Sequence, residues 1–406
     1  MPNRIPASTH RHLSDLRGAT RLAADATLGL AALVEAMHER FATLPGAAQD
    51  GHMTGMLGIS GLVYKSIRGI TRLVGGSVDG VLALLAPLLQ PPPGSADAPA
   101  SREREAVVAA LNGVLGDHLA ATHNPLATPM TLRHDGRTLS LDTFSLRATL
   151  PHASGHLAVL VHGLCMNDLQ WQRDGHDHGA LLARQGGYTP VYLRYNSGLP
   201  VHANGAQLAR LMEQLLAAWP QPLQRVVLLC HSMGGLLARS AMHQGKAAGQ
   251  TWPARLDDVV FLGTPHHGAP LERAGHGLDI VLGAAPYAAP LARLGKVRSA
   301  GITDLRHGKL LPGPATGRAS PPEHVPLPTH VRCYALAASL GSEAGAVQGR
   351  VLGDGLVPVA SALGRHARPS RALVFAADRQ AVLPGLNHMD LLSRREVAEH
   401  LLRWLC

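Results

Sequence analysis

Along the chain the spacing of apolar positions changes near residue 130. Before it, apolar residues recur at helical intervals. Leu22 to Leu44 predicts one helix and Ser101 to His123 another, with a Gly-studded apolar stretch from Met53 to Leu89 between them. Gln90-Pro91-Pro92-Pro93-Gly94-Ser95 interrupts this region. After residue 130, short apolar runs alternate with amphipathic segments. His156 to Val161, Thr189 to Tyr195, Arg225 to Leu229, Asp258 to Leu262, Val331 to Leu336 and Ala372 to Phe375 read as buried strands, and Leu139 to Leu150 as a strand or hairpin. Gln207 to Trp219 reads as a helix with Leu208, Met212 and Leu215 on one stripe, and a closing helix runs from about Ser393 to Leu405. Strands separated by helices predict the α/β class: a mostly parallel central sheet with helices on both faces. Two regions are therefore expected, a helical N-terminal extension over 1–125 with its Pro-rich break near 90–100, and an α/β domain over 130–406. Within the second, residues 264–330 are rich in Gly, Pro and Ala and predict a lid or cap insertion with an apolar wall.

One strand-to-helix junction carries chemistry. Cys230-His231-Ser232-Met233-Gly234-Gly235 follows the run Arg225 to Leu229 and precedes Leu236 to Met242, which reads as a helix. A serine held on so tight a turn by small neighbours is a nucleophile elbow, G-x-S-x-G with Cys in the first place. A serine hydroxyl needs a base to take its proton and a third group to orient that base. In chain order the acid and then the histidine should follow the serine. Asp354, in Gly353-Asp354-Gly355-Leu356-Val357-Pro358, comes after the strand around Val331 to Leu336 and is assigned as the orienting acid. His388, in Leu386-Asn387-His388-Met389-Asp390, precedes the closing helix and is assigned as the base. Asp390 is the competing acid, but so close to His388 in sequence it reads better as the start of the last helix. Val159-Leu160-Val161-His162-Gly163-Leu164 ends another strand, so the oxyanion donors are expected to be the backbone N–H groups of Leu164 and Met233.

Composition changes this picture little. Of 406 residues 46% are hydrophobic, only 3% aromatic and 16% charged, which suits a globular core of Leu, Val and Ala. The net charge of +9 is nearly all arginine, with no basic run interleaved with aromatics, so nucleic acid is not expected as a partner. Lys65, Arg68 and Arg72 recur at helical spacing among apolar residues. That basic amphipathic face suits peripheral contact with an anionic membrane, although a helical layer with a solvated edge is the simpler expectation. Cys165, Cys230, Cys333 and Cys406 form no C-x-x-C pair and read as small hydrophobes. His176-Asp177-His178 and His266-His267 lack a third ligand at usual spacing, so no metal is expected, and the triad chemistry requires no cofactor. The N-terminus does not lead into a signal-peptide h-region and no apolar stretch is long enough to span a bilayer, which makes a cytoplasmic location the default.

Tyr195-Asn196-Ser197-Gly198, the elbow with Gly234-Gly235, Leu262-Gly263-Thr264-Pro265-His266-His267-Gly268 and Asp354-Gly355-Leu356-Val357-Pro358 together resemble the α/β-hydrolase lipases, particularly bacterial proteins related to GPI inositol-deacylases. The resemblance covers about residues 130 to 406 and implies the α/β-hydrolase fold with its triad. Cys230 stands where most members have Gly. The expected activity is hydrolysis of an apolar acyl ester, a small molecule or a lipid, through an acyl-enzyme. Two alternatives use the same chain differently: an acyltransferase with the same triad, or a non-catalytic membrane or partner adaptor.

Overall fold

The computed structural model describes residues 102–269, 299–313, 324–341 and 353–406. The chain divides into two units. One comprises Ser101–His118 and Thr128–Cys406 and carries the sheet and the candidate site. Of the other, only the stretch Leu119–Ala127 is described, where the Asn124 N–H donates to the Leu119 carbonyl at 2.8 Å and turns the chain out of a helix. The basic face around Lys65, Arg68 and Arg72 lies outside the described residues, as do the Pro-rich break and much of the insertion expected over 264–330.

Eight strands form a single sheet in the order β2-β1-β4-β3-β5-β6-β7-β8. They are β1 (Thr131–His134), β2 (Arg137–Thr138), β3 (His156–Val161), β4 (Thr189–Arg194), β5 (Arg225–His231), β6 (Asp258–Leu262), β7 (Arg332–Ser339) and β8 (Gln380–Pro384). β1 pairs antiparallel with β2 and β4, and every pairing from β4 to β8 is parallel. The described α-helices, in chain order, are α1 (Arg102–Ala121), α2 (Thr143–Thr149), α3 (His178–Gly186), α4 (Val201–Ala218), α5 (Met233–Ala247), α6 (Ala300–His307), α7 (Val359–Ala362) and α8 (Arg395–Leu405). β3, β5 and β6 are continuous apolar runs because parallel strands covered on both faces have no wet side to alternate toward. Ala158, Leu160, Val227, Leu229, Val260 and Leu262 build one core cluster with Trp171, Leu182 and the Val397, Leu401 and Leu405 stripe of α8.

Two segments read as strands from the sequence are not strands in the fold, and the strands β1, β2 and β8 are not read from it. Residues 139–150 hold a helix rather than a strand or hairpin: Asp142 caps it, accepting from the Ser145 N–H at 2.8 Å, and Leu146 anchors it in the core. Ala372 to Phe375 is not a strand either. Leu373 and Phe375 are buried while Val374 is 87% exposed, which mimics strand alternation, but the segment only follows a 3-10 turn at Pro369–Arg371 and the last strand is Gln380–Pro384. The helix grouped by sequence with residues 1–125 contributes its residues up to His118 to the larger unit. Among the described residues no helix is long and apolar enough to cross a membrane.

At the amino-terminal edge of the sheet one carboxylate ties three strands. Asp258, fully buried, accepts from Arg225 Nε at 2.8 Å and from Arg332 Nε and Nη2 at 2.7 and 2.8 Å. Removing it leaves two partly exposed cations without their shared carboxylate. Both arginines reach solvent, so Asp258→Ala should lower stability by about 3 kcal/mol, the lower end for a broken buried pair, as read from urea unfolding. A loss below about 1 kcal/mol would show that the arginines resolvate freely.

Candidate active site

The site is built at the carboxyl edge of the sheet, where successive strand ends deliver their loops to one place. β5 runs straight into Ser232, whose backbone sits at φ 53° and ψ −125°. Only a residue held by its neighbours stays there. The Ser232 N–H donates to the Leu262 carbonyl at 2.8 Å, and the Gly235 N–H donates back to the Ser232 carbonyl at 3.0 Å. Two glycines let α5 start at once. A Cβ at Gly234 would stand 2.4 Å from the Val161 carbonyl oxygen, and one at Gly235 2.0 Å from Thr264 Oγ1. The elbow is thus wedged between the ends of β3 and β6.

Asp354 and His388 meet beside it. His388 Nδ1 lies 2.7 Å from Asp354 Oδ2, and the His388 N–H donates to the Asp354 carbonyl at 3.0 Å. The other carboxylate oxygen accepts the N–H groups of Leu356 and Val357 at 3.0 and 2.7 Å. Both side chains are buried. The contact at Nδ1 assigns the ring proton to that nitrogen, leaving Nε2, which has no hydrogen-bond partner, as the basic one. The ring lies against His231, just before the serine, and Gly263, just after the Leu262 anchor. His231 and His388 have ring centroids 4.7 Å apart, and a Cβ at Gly263 would stand 3.1 Å from His388 Cε1. Asp390, the competing acid, instead opens a 3-10 turn and accepts the Asn387 N–H at 2.8 Å.

The expected oxyanion donors flank the same point. Met233 is the first residue of α5, so its N–H has no intrahelical acceptor. Leu164 follows Gly163, and a Cβ at Gly163 would stand 3.0 Å from the Ser232 Cβ. The loop from β3 therefore touches the serine. The fold brings Ser232, Asp354, His388, Leu164 and Met233 to one edge of the sheet.

The other histidines near the site are held neutral. His162 is stacked on Tyr195 with ring centroids 4.3 Å apart, and burial pushes its pKa down to about 3. His231 donates from Nε2 to the His388 carbonyl at 3.2 Å, and burial holds it well below the usual imidazole range. Sequence reasoning gave His231 no role; its only signal was its place one residue before the serine. Among the described residues no metal cluster occurs, and the histidine pairs are engaged otherwise. His178 lies between His176 Nε2 at 2.8 Å and the Leu391 carbonyl at 3.0 Å, while Asp177 caps α3 and accepts the Tyr192 hydroxyl at 2.7 Å. His267 Nε2 lies 2.9 Å from the Gly364 carbonyl. Cys230 is fully buried within β5 and burial pushes its thiol up, which keeps it a protonated core side chain.

Strand order, elbow and loop placement together define an α/β-hydrolase fold. Residues 152–312 match the family of PGAP1-like alpha/beta domains, in line with the resemblance the motifs carry. No curated protein matches the sequence. Similar solved structures include phospholipase PlaB from Legionella pneumophila at 17% identity, covering 62% of this chain and 60% of that one with a TM-score of 0.40. The RedJ thioesterase of the prodiginine biosynthetic pathway in Streptomyces coelicolor is 17% identical over 63% of this chain and 91% of that one, TM-score 0.35. An esterase from Pyrococcus furiosus is 14% identical over 63% and 83%, TM-score 0.35.

The buried histidines make stability acid-sensitive. Burial lowers the pKa of both His162 and His178 to about 3 in the fold, against about 6.5 in the unfolded chain. With folded values below unfolded ones, their contribution is complete above about pH 6.5 and is lost as pH falls toward 3. Each ring that stays neutral removes about 1.4 kcal/mol per pH unit in that window. Urea midpoints measured at pH 7 and pH 5 should differ accordingly, and equal midpoints would refute the assignment.

Proposed function

We propose that this protein is a serine carboxylic-ester hydrolase acting on an apolar acyl ester through an acyl-enzyme. The observation that carries this reading is the Asp354–His388 pair beside Ser232, with the second ring nitrogen of His388 unengaged. His388 Nε2 takes the Ser232 Oγ proton as the oxygen attacks the ester carbonyl. The tetrahedral oxyanion is received by the Leu164 N–H in the loop after β3 and the Met233 N–H at the start of α5, whose dipole favours negative charge. His388 then returns the proton to the departing alcohol, leaving the acyl group on Ser232. Water, deprotonated by the same nitrogen, attacks the acyl-enzyme; collapse of the second oxyanion releases the acid and restores the serine. Asp354, fixed by two backbone N–H groups, stabilises the imidazolium formed in each half. The Gly-, Pro- and Ala-rich insertion over 264–330 would supply the apolar wall for the acyl chain.

Ser232→Ala should lower p-nitrophenyl ester hydrolysis by at least about 10⁴-fold and remove fluorophosphonate labelling while the fold persists. Retained labelling in that variant would sink the reading. Adding a competing alcohol separates hydrolysis from transfer: a hydrolase releases mainly free acid, an acyltransferase mainly the new ester.

A further inference from the structure

The residue after the proposed Leu164 donor is under strain. Cys165 sits at φ 58°, a left-handed conformation that a residue with a side chain rarely holds unaided. Two contacts hold it. Its N–H donates to Ser197 Oγ at 3.0 Å, and Ser197 is itself buried in the loop after β4. From the other side, α1 presses a glycine onto it. A Cβ at Gly113 would stand 2.2 Å from Cys165 Sγ, 2.9 Å from its Cα and 3.0 Å from its N, so any larger residue must move that backbone. Cys165 Sγ also faces the Ala110 carbonyl at 3.9 Å, and burial keeps the thiol protonated by raising its pKa to about 12.

Gly113 and Ser197 belong to one junction. The Ser299 hydroxyl, at the cap of α6, donates to the Gly113 carbonyl at 2.7 Å. The Ala300 N–H donates to Asp117 Oδ2 at 2.9 Å, and the Gly301 N–H to the Gly198 carbonyl at 2.9 Å. A Cβ at Gly198 would stand 2.2 Å from the Asn112 carbonyl oxygen, and one at Gly301 2.1 Å from that of Ser197. Backbones from α1, the β4–α4 loop and the start of α6 thus pack closely against one another, bridged by the Ser299, Asp117 and Asn196 side chains, with Cys165 at their face.

We infer that Gly113 and Ser197 are positioning residues for the oxyanion loop, clamping Cys165 so that the neighbouring Leu164 N–H is presented to the substrate carbonyl. This rests on the hydrolase reading above. Gly113 lies on a helix outside the matched segment 152–312, whereas Ser197 and Cys165 lie within it, so the clamp joins that segment to a part of the chain before it.

The test compares Gly113→Ala and Ser197→Ala with the wild-type chain on a p-nitrophenyl ester and its thiono analogue, whose sulfur anion is a poor partner for backbone donors. A damaged oxyanion site loses activity toward the oxygen ester selectively, whereas general destabilisation lowers both alike. Folded variants should show kcat lowered about 10- to 100-fold with KM within about twofold, and an oxygen-to-sulfur preference compressed at least about fivefold. Amide exchange over 162–167 should quicken while that over 353–357 stays unchanged. Asp258→Ala, destabilised far from the site, should keep the wild-type preference. Unchanged kcat and preference, or an equal loss on both esters with unaltered exchange over 162–167, overturns the clamp. If the wild-type chain neither hydrolyses esters nor labels at Ser232, the hydrolase reading fails, and exchange over 162–167 alone decides: faster in the variants supports the clamp, unchanged refutes it. Should Gly113→Ala not fold, Ser197→Ala, which deletes only a hydroxyl, carries the comparison.

Discussion

Ser232 holds a left-handed backbone that an ordinary residue reaches only at a cost of about 1–3 kcal/mol, and the surroundings of the site are organised to keep it there. Its N–H is tied to the end of β6, its carbonyl to the first turn of α5, and the two glycines after it let that helix press against β3. Each of these contacts requires the strands to end in register. Cys230 lies level with Val161 on one side and Phe261 on the other, so the β3 and β6 loops open beside the serine rather than above or below it. The sheet's register therefore decides where the proposed chemistry can occur, and Asp258 helps to fix it by tying β5, β6 and β7 at the opposite end.

Imidazole and thiol charge is kept sparse around this point. His162, His231 and His266 are buried and pushed down toward neutrality, and Cys165 and Cys230 are pushed up. The carboxylate facing His388 is Asp354, already met by two N–H groups. A proton arriving on His388 would thus be stabilised by Asp354 without competition from charged imidazoles next to it. Neutral His231 can still donate to the His388 carbonyl, which helps to hold the loop in place at no electrostatic cost.

Much of this was legible in the residues. The buried strands at His156–Val161 and Asp258–Leu262 announce themselves because a strand covered on both faces must be apolar throughout. The elbow, the Gly-flanked Asp354 and His388 before the closing helix follow from local chemistry plus strand order. What failed was alternation without a partner strand. Leu373, Val374 and Phe375 alternate in burial like a strand yet pair with none, and in residues 139–150 the cap at Asp142 outweighed strand-like spacing. The support behind the proposed oxyanion loop was not legible at all. Nothing in the sequence near Gly113 points to Cys165, some fifty residues away, because close backbone approach leaves no side-chain pattern to read.

The matched segment 152–312 contains Ser232 and both proposed oxyanion donors but neither Asp354 nor His388. A chain could carry that segment and lack a base. Here the proposed base, His388, reaches the site because β7 pairs with β6 and β8 with β7, both parallel, so the loops after them open at the same edge as the elbow. The Leu386 N–H, donated to the Ser339 carbonyl at 3.0 Å, ties the histidine loop to the end of β7, and the His388 N–H ties it to Asp354. The proposed triad depends on those two strands more than on the serine motif, since a shift of either would separate His388 from Ser232 while leaving the elbow intact.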